Sequence, residues 1–376
     1  MRHLILILLV GIVPSIASAQ SCAANSPSSN LTTGAGSLAQ LPAMDQGGTG
    51  LCYAFTISQL ADAYRYRTPA NRTRRISPLA LGMLTPQSSN FLQRSRLDDG
   101  GSPSAALQAL NNPSNPKCDY AYLRRLYGST DDQFSLFGTM ELMFKQIREA
   151  YYTPCSCTAA SRRQDALGDI RQMRAYMTGP SLLEGQPSQG TVNSLLADLG
   201  AIIVRMNDLP PSAFANYNTS FNGQLLVPYF NRLCRGNTIT TPTLRLTGIR
   251  RSSYDFNNQL SAVAETGALG RFSNHAWDIL SRPGAQPVGI SFCSRMLTGA
   301  SAFISPASSQ CDNHAAVLAG QRCRGGRRQF LLRNSWGNDC GQVAARHRPN
   351  CDGRGNVWVD GENLMRSAYS LYQTVP

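Results

Sequence analysis

Residues Gln46–Phe55 read Gln-Gly-Gly-Thr-Gly-Leu-Cys-Tyr-Ala-Phe. A glycine-dominated turn runs straight into apolar and aromatic residues at Leu51, Ala54, Phe55, Ile57, Leu60, Ala61 and Tyr64. That is helical spacing, and it predicts a helix over Leu51–Tyr66. Cys52 falls in the first turn of this helix. The partial positive charge of a helix N-terminus favours an anion, so a thiol there should sit below its ordinary value near 8.5. A buried structural cysteine, or half of a disulfide, would fit the same place. Gln46 precedes Cys52 by one turn of loop. Its amide could join the Cys52 backbone N–H around a developing oxyanion, although a glutamine in a polar turn is commonly just solvated.

A reactive thiol needs a base, and a base needs something to orient it. His314 opens an apolar run in Cys-Asp-Asn-His-Ala-Ala-Val-Leu-Ala-Gly, so it can project from a strand end and take the thiol proton. Asn334 ends Phe330-Leu331-Leu332-Arg333 and can accept from the imidazole. His275, in Ser-Asn-His-Ala-Trp-Asp, reads as a structural residue of a helix, and His347 lies in an Arg- and Pro-rich loop.

Outward from these residues the chain divides in two. A short helix is read over Ser104–Leu110, and further helices over 134–151, 162–177 and 191–206. Short β-like runs follow at Val288–Phe292, Ala315–Ala319, Gln329–Arg333 and Val357–Val359. Helices first and strands later predict an α+β, two-lobed fold, a helical lobe packed on a β-rich lobe with a cleft between them.

With 42% apolar and 15% charged residues, the 376-residue chain is not disordered. Its excess of base, 35 Lys+Arg against 22 Asp+Glu, is almost all Arg, since Lys occurs only at Lys117 and Lys145. The Arg residues are scattered as pairs, not gathered on one helix face, so nucleic-acid binding is not expected. Residues 1–19 carry a basic start, the apolar run Leu4–Val13 and the small residues Ala17-Ser18-Ala19, the pattern of a signal peptide. The expected product is exported, periplasmic or extracellular, with no membrane span after signal removal. All eleven Cys lie beyond that segment, where disulfides persist. If Cys52 stays free, the other ten suffice for five bridges whose connectivity the sequence leaves open. A zinc site from Cys311, His314, Cys323 and Cys340 lacks paired CxxC knuckles. No metal or cofactor is expected, and the oligomeric state is open.

Five blocks, in order, resemble the papain-like cysteine peptidases. Gln46–Phe55 is similar to that family's nucleophile motif, with Gln six residues before Cys. Asp99–Leu107 is similar to its Gly-Gly segment, Pro287–Ser291 to its Pro-Val strand and Asn313-His314-Ala315 to its His motif. Asn334-Ser335-Trp336-Gly337 matches its Asn-Ser-Trp-Gly. The resemblance implies a papain-like peptidase acting on peptide or protein substrates through an acyl-enzyme. It implies Cys52 as nucleophile, His314 as general base and then acid, Asn334 as the orienting group and Gln46 in the oxyanion hole. It further implies Trp336 as a shield over the Asn–His contact and Gly100 and Gly101 as substrate-binding backbone. There are departures. Thr49 and Asp99 stand where family members carry a bridged cysteine pair, Tyr53 replaces a Trp, and Cys340 stands in place of a second Trp. The stretch between Gly101 and Pro287 far exceeds the family pattern, so residues 115–245 are read as an inserted helical subdomain within a 20–376 peptidase domain. A catalytically silent binding protein, or an amidase or transglutaminase of the same Cys–His logic, are the other readings.

Overall fold

The computed structural model describes residues 21–47, 50–85, 101–127, 197, 227–254, 260–338 and 340–376. The expected signal peptide, Gly48, Thr49, Gly100, Cys155, Cys157 and, apart from Ala197, the helices read over 134–151, 162–177 and 191–206 lie outside these.

The helix beginning at the nucleophile motif, α1, spans Cys52–Arg65. Almost every residue of it is buried, polar ones included. It can be buried on all sides because Thr56, Ser58 and Gln59 turn their side chains back onto carbonyls of their own helix, those of Cys52 and Phe55. Two short helices pack beside it, α2 (Pro78–Leu84) and α3 (Pro103–Asn111). Both open on Ser-Pro. Ser77 and Ser102 accept from the N–H of Ala80 and Ala105, and each proline takes the first helical position, where no N–H is needed.

On the other face of α1 lies a sheet. Its strands are β1 (Ser29–Asn30), β2 (Arg245–Arg251), β3 (Ser261–Val263), β4 (Val288–Cys293), β5 (Asn313–Arg324), β6 (Arg327–Arg333), β7 (Asn356–Asp360) and β8 (Ala368–Val375). The order is β3-β2-β8-β4-β5-β6-β7, with β1 added on β5. All pairings are antiparallel except β2 with β3. The fold is α+β, as read, and one continuous apolar cluster runs through helices and sheet. The sequence reading missed β1, β2, β3 and β8, and it ended the strand after His314 at Ala319, five residues short of its end. His275 lies in a helix, α4 (Ala268–Leu280), as read.

Four disulfides occur among the described residues: Cys22–Cys323, Cys118–Cys234, Cys293–Cys311 and Cys340–Cys351. Cys52 is free. Cys311, Cys323 and Cys340 belong to three different bridges, which dissolves the zinc alternative. Cys118–Cys234 draws the two ends of the 115–245 segment together. There Asp119 N–H donates to the Asn237 carbonyl and Ile239 N–H to the Lys117 carbonyl, while the Tyr122 hydroxyl donates to the Leu233 carbonyl. No helix among the described residues is long and apolar enough to cross a membrane.

Candidate active site

The start of α1 has no side-chain cap. Its first N–H groups, those of Cys52 and Tyr53, approach the Cys52 thiol, and so does the backbone N–H of Ala315 on β5. Ala315 follows His314, so helix and strand meet at the sulfur. These three donors favour a thiolate, as the helix-terminus argument expected. Burial outweighs them, and the thiol is pushed up to about 11 instead of down. The expectation of a lowered thiol pKa is therefore corrected. A helix end is a local feature, whereas the dry surroundings come from β4, β5 and β8 packed over it.

His314 is buried, 6% exposed. It sits between two aromatic rings, Phe292 edge-on at 5.6 Å and Trp336 tilted at 5.1 Å. Phe292 is there because it pairs directly with His314 across β4 and β5. In this apolar slot burial pushes the imidazole down to about 4, against the raising effect of its bond to Asn334. That bond joins His314 Nε2 and Asn334 Oδ1 at 2.7 Å.

The roles in this contact follow from a neighbour. The backbone N–H of Ser335 donates to the same Asn334 Oδ1 at 2.9 Å. An N–H must face an oxygen, so the amide orientation is set, and His314 Nε2 must be the donor. The neutral imidazole then keeps its lone pair on Nδ1, the nitrogen available to take a proton.

Gln46 is buried, not solvated. The segment before it zips onto the Asn334–Gly337 block. Gln46 N–H donates to the Ser335 carbonyl at 2.8 Å, and Gly337 N–H to the Met44 carbonyl at 3.1 Å. The Ser335 hydroxyl donates to Gln46 Oε1. In this arrangement Oε1 accepts and the NH2 is the donor end of the amide. Ser335 is thus a site residue the sequence reading quoted but gave no task. The only signal for it was its place between Asn334 and Trp336. Gly337 adopts φ +72°, and a Cβ there would meet Asp45 Oδ2 at 2.6 Å, so this tight pairing requires glycine.

The Trp336 ring packs against that of His314. Gly101 lies where a Cβ would run into the Tyr53 ring at 2.6 Å, which supplies a packing reason for glycine independent of any substrate. Cys340, in place of a second Trp, is tied to Cys351. His347 instead bonds the Met296 carbonyl, and among the described residues no cluster of side chains could hold a metal.

These values set a pH dependence. The imidazole is neutral above about pH 4 and protonated below it, so a step needing it as base is lost as pH falls through about 4, well under the ordinary 6.5. The thiol keeps its proton up to about pH 11. A kcat/KM profile for a reaction that uses His314 as base should show its acid limb close to pH 4 and a broad plateau above it. A limb near 6.5 would contradict the dry His314 site.

No family model matches the sequence, and no curated protein is similar to it in sequence. Similar solved structures include xylellain, a cysteine protease from Xylella fastidiosa, at 15% identity and TM-score 0.40, covering 93% of this chain and 87% of that one. Another is PepW from Lactobacillus rhamnosis, at 9% identity and TM-score 0.37, covering 94% and 82%. A third is digestive procathepsin L 3 of the Tenebrio molitor larval midgut, at 12% identity and TM-score 0.37, covering 89% and 66%. Xylellain and procathepsin L 3 are papain-like cysteine proteases, and structures of that kind are among those to which this chain is similar.

Proposed function

We propose that this chain is an exported thiol peptidase of the papain-like type, hydrolysing peptide bonds through a Cys52–His314–Asn334 site. The observation that supports this most is the chain of contacts Ser335 N–H to Asn334 Oδ1 to His314 Nε2. It leaves Nδ1 as the nitrogen able to act as base, and the free Cys52 thiol meets the N–H of Ala315, the residue after His314. His314 Nδ1 takes the Cys52 proton as the sulfur attacks a peptide carbonyl. The oxyanion that forms meets the Cys52 N–H and the donor end of Gln46. His314 returns the proton to the leaving amine, and a thioester remains. Water activated by the same imidazole then releases the acid.

Burial disfavours both the thiolate of Cys52 and the imidazolium of His314. Trp336 and Phe292 keep water from the Asn–His contact. Gly100 and Gly101 are proposed to hold substrate backbone, and residues 115–245 to form a subdomain stapled at its base by Cys118–Cys234. Export fits four disulfides in the described chain.

The test is hydrolysis of a peptide library beside cell-wall fragments and glutamine side-chain amides. Cleavage of peptides alone supports the peptidase reading, and turnover confined to another class replaces it. A thiol titration of native protein is expected to find one reactive group, and denaturation without reductant no more. Three or more would overturn the pairing of the cysteines.

A further inference from the structure

Immediately before Asn334, Arg333 is one of the largest fully buried side chains of the protein, 2% exposed. Among the described residues no carboxylate forms an ion pair with it, although Asp352 acts on it favourably and Arg75 unfavourably from beyond ion-pair distance. Its Nε donates to Gln59 Oε1 at 2.8 Å, and its Nη2 to the Leu41 carbonyl. Gln59 is itself held, because its Nε2 donates to the Phe55 carbonyl, which fixes its oxygen as the acceptor facing Arg333. A buried cation with neutral partners is a poor way to stabilise a core. Well-packed apolar residues of similar volume often serve as well or better, and what such a charge can supply is geometric definition.

The two acceptors on this guanidinium and the backbone of Arg333 itself belong to the carriers of the site. Gln59 lies two turns along α1 from Cys52. Leu41 stands in the segment that leads to Met44–Gln46. The backbone of Arg333 lies in β6, paired with Val317 of β5 and Asn356 of β7, and it continues directly into Asn334.

We infer that Arg333 is a positioning residue whose buried guanidinium holds the carriers of Cys52, Gln46 and Asn334 in mutual register. The planar fork suits this role because it reaches two acceptors on different segments at fixed angles, which a lysine ammonium cannot reproduce. Burial lowers Arg333 to about 10, so it remains charged at neutral pH and both bonds stay charge-assisted. The inference rests on the proposed thiol chemistry of Cys52 and not on which amide is cleaved.

The test compares wild type, Arg333→Met, Arg333→Lys, Gln59→Met and the Arg333→Met/Gln59→Met pair in the full chain. Two readouts are used: kcat and KM per site titrated with a covalent thiol inhibitor, and the rate of Cys52 alkylation by iodoacetamide. Titration removes any unfolded fraction from the rates. Arg333→Met should lower kcat per titrated site by about tenfold to a hundredfold with KM nearly unchanged, the signature of displaced reacting groups. Arg333→Lys should recover part of the loss, and the double variant should be little worse than the worse single one. Cys52 alkylation should slow in Arg333→Met whether or not the protein cleaves peptides. If wild type cleaves none, the peptidase reading fails while the alkylation arm still judges Arg333. If Arg333→Met does not fold, the same rates in Arg333→Lys and Gln59→Met decide between positioning and packing. Unchanged kcat and alkylation per titrated site, with only the melting temperature altered, would reduce Arg333 to a structural residue and overturn the inference.

Discussion

Replacement of Cys52 by alanine is expected to abolish peptide hydrolysis, by on the order of 10⁵–10⁶-fold in kcat, while the four described disulfides and the sheet persist. Cys52 is only partly exposed, and its sulfur ends a helix whose remaining residues are almost all buried. Losing one sulfur atom leaves the other buried side chains of α1 in place. His314→Ala should cost nearly as much, because a thiol held up near 11 is inert without a base beside it. The double variant should be no worse than either single one, since the two act as a unit. Circular dichroism and thermal melts of each variant would separate lost chemistry from lost fold. Substantial turnover by Cys52→Ala would remove the proposed nucleophile.

The second largest effect is expected at Gln46. Gln46→Ala should leave a folded enzyme whose kcat is lower by about 10²–10³, the usual cost of one oxyanion donor. Ser335→Ala should produce a smaller loss in the same direction, because the amide would lose the hydroxyl bonded to its oxygen. The contact itself must also survive for this ordering to hold. The backbone bonds Gln46–Ser335 and Gly337–Met44 keep the two segments together without either side chain. A Gln46→Ala enzyme within about tenfold of wild type would mean that the amide does not meet the oxyanion.

Each proposed site residue falls inside a short motif, which is why Gln46, Cys52, His314 and Asn334 could be proposed from the chain alone. The helix after Cys52 was legible because its apolar residues recur at helical spacing, and the strands after Pro287 because they are short apolar runs between turns. Other features depend on segments far apart in sequence. The burial of Gln46 was not legible, because it comes from Met44–Gln46 pairing with residues beyond Asn334. The thiol looked depressed by its helix, and it is raised by strands that cover it. β2 and β8 escaped notice because β2 carries Arg at Arg245, Arg250 and Arg251, and β8 mixes Tyr, Ser, Gln and Thr. Their pairing, with β8 placed between β2 and β4, comes from the sheet and not from a local pattern. β5 runs on through Gly320-Gln321, which reads as a turn, because β1 and β6 both pair with it there.

The central claim is that Cys52 attacks the substrate carbonyl with His314 as its base. The most direct measurement is mass spectrometry of the native protein after reaction with a peptidyl electrophile, with peptide hydrolysis followed in parallel. One adduct per chain is expected, on Cys52, appearing in step with the loss of activity. Adduct formation should be slowed strongly in His314→Ala. A fully modified Cys52 that leaves hydrolysis intact, or inactivation that tracks modification of another residue, would contradict the claim.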